Sequence, residues 1–301
     1  MAYCDAIPRL QVPSPDATAQ ADPRYGLLSA ATLVEDMDPH AFHGVEYEAV
    51  CDPKVRLYEV HMDCPNPDQA AIKVGDRSRV TMTADPFAVY AVEQCLDARS
   101  SQQMQDDLRR RLLRGERHVM EAAVYHGLAG AAPSLRHSST VVLNGGTAVD
   151  VPLAVGALEH RIALAGRTGT IHAPRYMAAV MDDRRLLHRQ GPTLRTQLGT
   201  SVAFGSGYTG QPPAGVADDG NTWLYVTGPV TVRRSGVLEP ARLDGGGFDM
   251  RTNTPFVLAE RVYVVDWPCG VAAIPTTIPR LDIGFDPASL TPTPPEPEPA
   301  P

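Results

Sequence analysis

From Asp150 to Gly210 the hydrophobic period changes from helical to extended and back, which leaves few folds open. Asp150 is placed to cap a helix with Pro152 in its first turn, and Val155, Leu158, Ile162 and Ala165 recur at helical spacing until Gly166 stops it. Gly169 to His172 is a short extended run. Pro174 then restarts a helix, with Met177, Val180, Met181 and Leu187 inward and Gly191-Pro192 as its end. Leu198, Val202 and Phe204, punctuated by Gly199, Gly205 and Gly207, predict strands joined by tight turns. The stretch reads as a compact α+β unit.

The flanks extend this pattern. Residues 1–44 carry Pro8, Pro13, Pro15, Pro23 and Pro39 among small and polar residues, with a brief helical signal from Leu27 to Met37. Alone they cannot form a core, so they are expected to be a mobile terminus or an arm ordered on another subunit. Alternation at Val45–Glu48 and Val55–Val60 predicts strands, and Ala71–Asp76 with Arg79–Met82 predicts a hairpin around Gly75-Asp76. An apolar helix is expected to begin at Pro86 and run to Leu96. A second, from about Gln103 to Tyr125, sets Leu108, Leu112, Val119 and Ala123 on one stripe and Leu113, Met120 and Val124 beside it. A short strand at Val141–Leu143, a polar loop from Gln211 to Asn221, extended runs at Trp223–Val226 and Val230–Val232, and a long strand at Arg261–Trp267 follow. Residues 286–301 are a Pro/Glu tail without enough apolar surface to fold.

A chain of 301 residues with 43% hydrophobic content can bury a substantial core. Its net charge of -8 argues against a surface built mainly to clamp nucleic acid. Lys54 and Lys73 are the only lysines, so arginine carries nearly all the positive charge. The five cysteines are odd in number and scattered, with no C-x-x-C, so neither a disulfide scaffold nor a structural zinc site is expected, and reduced thiols are. No signal peptide is expected after Met1, and no apolar run reaches the roughly 20 residues that span a bilayer, so no membrane partner is expected.

The order of ALEHRIALAG, GTIHAPRYMAAVM, LRTQLGTSVAFGSGYTG and LAERVYVVDWPCGVAAI, preceded by PFAVYAVEQCLD and LLRGERHVMEAAVYHGL, resembles the major capsid proteins of tailed bacteriophages of the actinobacteriophage type. The likeness covers roughly residues 85 to 275. It implies an α+β, HK97-like capsid fold: an N-terminal arm (1–44), extended strands with an E-loop-like hairpin (45–84), a helical peripheral domain with a long spine-like helix (85–147), an axial domain (148–254), a strand returning to the peripheral domain (255–285) and a tail (286–301). It further implies self-assembly into pentamers and hexamers of an icosahedral shell around double-stranded DNA, a virion location and synthesis in the host cytoplasm. Portal, scaffolding and decoration proteins are the other partners it implies. Position on arms and loops then makes Tyr47, Tyr58, Ile72, Lys73, Arg77, Arg79, Pro212 and Pro213 candidate contacts between subunits. Arg109, Arg110, Arg114 and Arg117 on the spine helix are candidates to face DNA by non-specific contact, against the plainer reading of a solvated face with i,i+4 pairing to Glu116 and Glu121. An encapsulin-like compartment and a tail or connector protein are the alternatives among structural proteins.

For an enzyme, the sequence offers little. Gly205-Ser206-Gly207 lacks the G-x-S-x-G spacing, although a small hydrolase using Ser206 or a cysteine stays the alternative from that class. Gly245-Gly246-Gly247 has no Lys-Ser/Thr after it. His160, His172 and His188, even taken with Cys95 or Cys269, match no metal-ligand spacing. No catalytic residue, cofactor or metal is expected.

Overall fold

The computed structural model describes residues 24–35, 42–52, 55, 79–93, 101–238, 247–249 and 254–291. Among the described residues the first element is a single helical turn, α1 (Leu27–Ala30), followed by β1 (Thr32–Val34), β2 (Val45–Val50), β3 (Arg79–Ala84) and β4 (Pro86–Glu93). The long helix α2 (Ser101–His126) leads through β5 (Val141–Val142) to α3 (Val151–Leu164), β6 (Thr170–Pro174) and α4 (Met177–Asp183). A run of strands closes the fold: β7 (Leu187–Gln190), β8 (Thr193–Thr196), β9 (Ser201–Gly205), β10 (Asn221–Thr227), β11 (Thr231–Arg234), β12 (Gly247–Asp249), β13 (Thr254–Asp266) and β14 (Ala272–Pro279).

Seven strands form the central sheet in the order β5-β14-β10-β6-β9-β8-β7. Its middle strands are buried on both faces, which explains why β10 reads as a continuous apolar run. Leu224 and Val226 face α3 and α4, joining Val151, Val155, Leu158, Ile162, Met177 and Met181 in one core. Trp223 and Tyr225 point the other way, into a core with Leu108, Leu112, Met120 and Tyr125 of α2. Burying each such Val, Leu or Ile is worth about 1.5–3 kcal/mol. A second sheet runs β1-β11-β13-β12, with β4 also paired to β13, and β2 pairs with β3.

The expected helices at 103–125 and 151–165 are present, and Gly166 ends the latter in a left-handed conformation (φ 66°). Three expectations are corrected. Pro86–Glu93 is a strand rather than a helix. Phe87 and Val89 are buried while Tyr90 and Val92 stay exposed, an alternation of two filled by the aromatic and β-branched residues that suit a pleated surface. The helix after Pro174 ends at Asp183, so Leu187 belongs to an edge strand and Gly191-Pro192 is the turn of the β7–β8 hairpin. Residues 24–34 lie on their own protomer: Leu27 is fully buried in the α2 core, and β1 pairs in parallel with β11.

Arg79–Ala84 pairs with Val45–Val50 in full register. The expected strand at Ala71–Asp76 and the turn at Gly75-Asp76 lie outside the described residues. A fourth correction concerns the thiols: Cys51 and Cys269 form a disulfide, with Cα atoms 5.3 Å apart across 218 residues of sequence. It ties the end of β2 to the loop after β13. The Arg167 guanidinium donates to Cys269 Sγ (2.6 Å) and to the Val50 carbonyl at the same junction.

Candidate functional site

The polar groups that organise this fold lie along α2. Glu121, on the inner face of the helix, accepts the Leu27 N–H at Oε1 (2.9 Å) and both the Ser206 N–H (2.7 Å) and the Ser206 hydroxyl (2.9 Å) at Oε2. One buried carboxylate therefore fastens the N-terminal turn and the end of β9 to the long helix. Burial pushes its pKa up, and the hydrogen bonds from Leu27 and Ser206 oppose that shift. One turn towards the C-terminus of the helix, the Tyr125 hydroxyl donates to the Gln211 carbonyl (3.0 Å), as does that of Tyr225 (2.6 Å). Arg136 Nε donates to the Pro212 carbonyl (2.8 Å), and Arg280 binds Asp218. The loop after β9 is thus anchored at both ends.

The same cluster tests the hydrolase reading. His118 Nδ1 lies 3.4 Å from Ser206 Oγ, so serine, histidine and glutamate meet. The relay runs the wrong way, however, because the serine hydroxyl donates directly to the carboxylate, which does not orient the imidazole. The adjoining cavity, of about 10 Å³, has room for roughly one water. Ser206 is a structural tie. Among the described residues no three His, Cys, Asp or Glu side chains gather as a metal set. His160 and His188 are exposed, whereas His172 is buried between Tyr208 and Thr227.

The tautomer of His172 follows from its neighbours. The Thr227 hydroxyl donates to the Gly228 carbonyl (2.8 Å), so it accepts from His172 Nε2–H (2.9 Å), and Nδ1 accepts from the Tyr208 hydroxyl (3.2 Å). Burial pulls the imidazole pKa down to about 3, and burial with Arg136 pulls His126 down to about 4. A histidine with a depressed folded pKa takes up its proton only on unfolding. Stability is therefore level above about pH 6.5 and falls as the pH drops from there towards the folded values. For His172 the slope is about 1.4 kcal/mol per pH unit. Glu121, with its raised pKa, works in the opposite sense above its unfolded value. Unfolding free energies measured between pH 7 and pH 4.5 should lose roughly one proton of slope in His172→Gln; an unchanged slope would refute the assignment.

The candidate contact residues are not gathered in one place. Arg109, Arg110, Arg111 and Arg114 are exposed on α2, with Arg110 paired to Asp107 and Arg111 to Glu93 (3.2 Å). Arg117 is half-buried beside Glu121. Tyr47 on β2 is half-buried, and Arg79 on β3 is exposed and pairs with Glu48 (2.8 Å). Pro212 and Pro213 are buried within the protomer, so the open part of their loop is 214–220. Tyr58, Ile72, Lys73 and Arg77 lie outside the described residues. Glu116 and Glu121, expected on a solvated face, are instead buried; sequence reasoning passed over Arg261, whose only signal was a charge within a buried strand.

A long helix packed on the β4–β13 sheet, a seven-stranded sheet with α3 and α4 on the face away from that helix, and an extended two-stranded ladder define an α+β fold of the HK97-like capsid type. Comparison with solved structures agrees. The capsid of a native GTA particle, computed with C5 symmetry, is similar over 88% of this chain and 94% of its own, at 14% identity and a TM-score of 0.50. The capsid of the empty GTA particle (14% identity, 84% and 97% coverage, TM-score 0.49) and Mycobacterium phage Adephagia (14%, 86% and 92%, 0.48) are also similar. No family model matches the chain, and no curated protein does. Among the described residues no helix is long and apolar enough to cross a membrane.

Proposed function

We propose that this chain is a major capsid protein whose copies form the pentamers and hexamers of an icosahedral shell enclosing double-stranded phage DNA. The observation that carries the reading is the end-to-end correspondence with a capsid chain, 88% of one against 94% of the other. Its role would be mechanical and not enzymatic, in keeping with a Ser206 whose hydroxyl donates to a buried carboxylate. The exposed β2–β3 ladder, with Tyr47 and Arg79, and the loop beyond Pro213 would reach neighbouring copies. Quasi-equivalent contacts of that kind favour loops and ladders that tolerate slightly different partners. Arg109, Arg110 and Arg114 would offer diffuse counter-charge to DNA without reading its sequence. Portal, scaffolding and decoration proteins would complete the particle, which would be the chain's location after synthesis in the host cytoplasm.

Electron microscopy with sedimentation of the purified recombinant chain tests this. Closed shells tens of nanometres across are expected, and native particles should hold nuclease-protected DNA. A small species that stays small with its assembly partners present would refute the proposal, and shells filled with protein cargo would shift it to an encapsulin-like compartment.

A further inference from the structure

Two segments 218 residues apart in sequence meet where Cys51, at the end of β2, is bonded to Cys269 in the loop after β13. Both cysteines are half-buried, so the bridge meets solvent. It lines a cavity of about 140 Å³ whose apolar wall includes Ile162 and Val271. Arg161 and Arg167 are the charged residues of that wall, and no carboxylate lines it among the described residues. The cavity is therefore a place that draws in small anions.

Two further observations set this bridge apart from a buried structural one. Arg167 Nη1 stands 2.6 Å from Cys269 Sγ, so a cation is already in place beside one sulfur. When a disulfide is cleaved the departing sulfur becomes a thiolate, and a fixed neighbouring cation makes it a better leaving group. Cys269 also holds a left-handed backbone (φ 67°), which a non-glycine residue keeps only where its surroundings hold it there. Breaking the bond removes one of those restraints.

We propose that Cys51–Cys269 is a thiol-exchange site, opened by small anionic thiols in this cavity, and that it acts as a latch on one end of the β2–β3 ladder. A thiolate attacks Cys51 Sγ and forms a mixed disulfide there, while the S–S electron pair passes to Cys269 Sγ beside Arg167. A second thiolate then attacks the sulfur of the first thiol, and Cys51 leaves as a thiolate. Two small thiols are oxidised to their disulfide, the protein disulfide is reduced, and the protons that the small thiols gave up are taken by the two cysteines. The consequence falls on the ladder, whose Val50–Arg79 end is tied down by the bridge and by the Arg167 bond to the Val50 carbonyl. Its Val45–Ala84 end packs instead with Val264 of β13, a contact that exchange does not touch. The inference concerns the single chain and does not depend on the shell reading.

The test exposes the native full-length chain to 2-mercaptoethanesulfonate, 2-mercaptoethanol or cysteamine and follows the bridge by alkylation and mass spectrometry. Each rate is normalised to that of the same thiol with an uncharged small-molecule disulfide. The normalised rate should be at least about tenfold greater for the sulfonate than for cysteamine. Arg167→Gln should slow the sulfonate reaction by at least about tenfold, and Arg167→Lys should recover most of it. Once the bridge is reduced, amides of residues 48–50 and 79–81 should exchange with deuterium at least about tenfold faster while β10 stays protected, and Cys51→Ser should show the same pattern with no thiol added. Rates indifferent to thiol charge and to Arg167 would overturn the exchange site. So would reduction that occurs only when β10 loses its protection, which makes the bridge a structural one reached by unfolding. A reduced chain whose ladder exchanges as slowly as the oxidised one would overturn the latch.

Discussion

Glu116→Ala is expected to destabilise the chain by about 3–5 kcal/mol. Arg261 Nη1 reaches both oxygens of this carboxylate, at 2.8 and 2.9 Å, and Arg234 Nη1 approaches to 3.6 Å. The side chains of Glu116 and Arg261 are only 3% and 10% exposed, so removing the carboxylate would strand a guanidinium that water cannot reach. Its Nε already lacks a partner among the described residues. The pair ties α2 to β13, while Arg234 on β11 carries the network on to Glu35 beyond β1. Denaturant unfolding measures the loss. Because the expected cost lies in the orphaned charge and not in the absence of attraction, Glu116→Met combined with Arg261→Met should recover most of it. A single variant within 1 kcal/mol of the wild type would mean that Arg261 finds solvent, and the buried-pair reading would fall.

The sequence made the architecture legible where a face was one-sided. In α2, polar residues opposite Leu108 and Leu112 expose the helical period, and in α3 a cap and a glycine stop bracket it. It misled at β4, where Pro86 and a dense apolar run suggested a helix start although Phe87, Val89 and Ala91 alternate. It misled again beyond Asp183, because Leu187 keeps the helical spacing after Arg185 has turned left-handed (φ 55°). The polar site was harder to read for a physical reason. Glu116 and Glu121 look like members of a solvated arginine-rich face, and only the placement of β13 and of Ser206 shows that they are buried. The Cys51–Cys269 bridge has no local signature either, since its ends are brought together by the whole fold.

Gly207→Ala is the second change expected to be severe, at about 3 kcal/mol or more, the upper end of what overpacking a core costs. A Cβ at Gly207 would stand 2.3 Å from the Ala122 nitrogen, 2.7 Å from the His118 carbonyl oxygen and 2.8 Å from Ala122 Cα. All three atoms belong to the backbone of α2, so no side chain can turn aside. Relief requires moving the end of β9 off the helix, and that movement would pull Ser206 away from Glu121, whose other oxygen holds Leu27. Gly26, on that other side, meets the same carboxylate at 2.3 Å, so both segments are glycine where they close on it. Gly115 supplies the contrast on the same helix: nothing lies within 4 Å of its added Cβ, and Gly115→Ala should raise stability by roughly 0.5–1 kcal/mol through backbone entropy. Thermal melts of the two variants should therefore move in opposite directions from the wild type. If Gly207→Ala melts with the wild type, the close approach of β9 to α2 is wrong, and the Glu121 clamp that depends on it goes too.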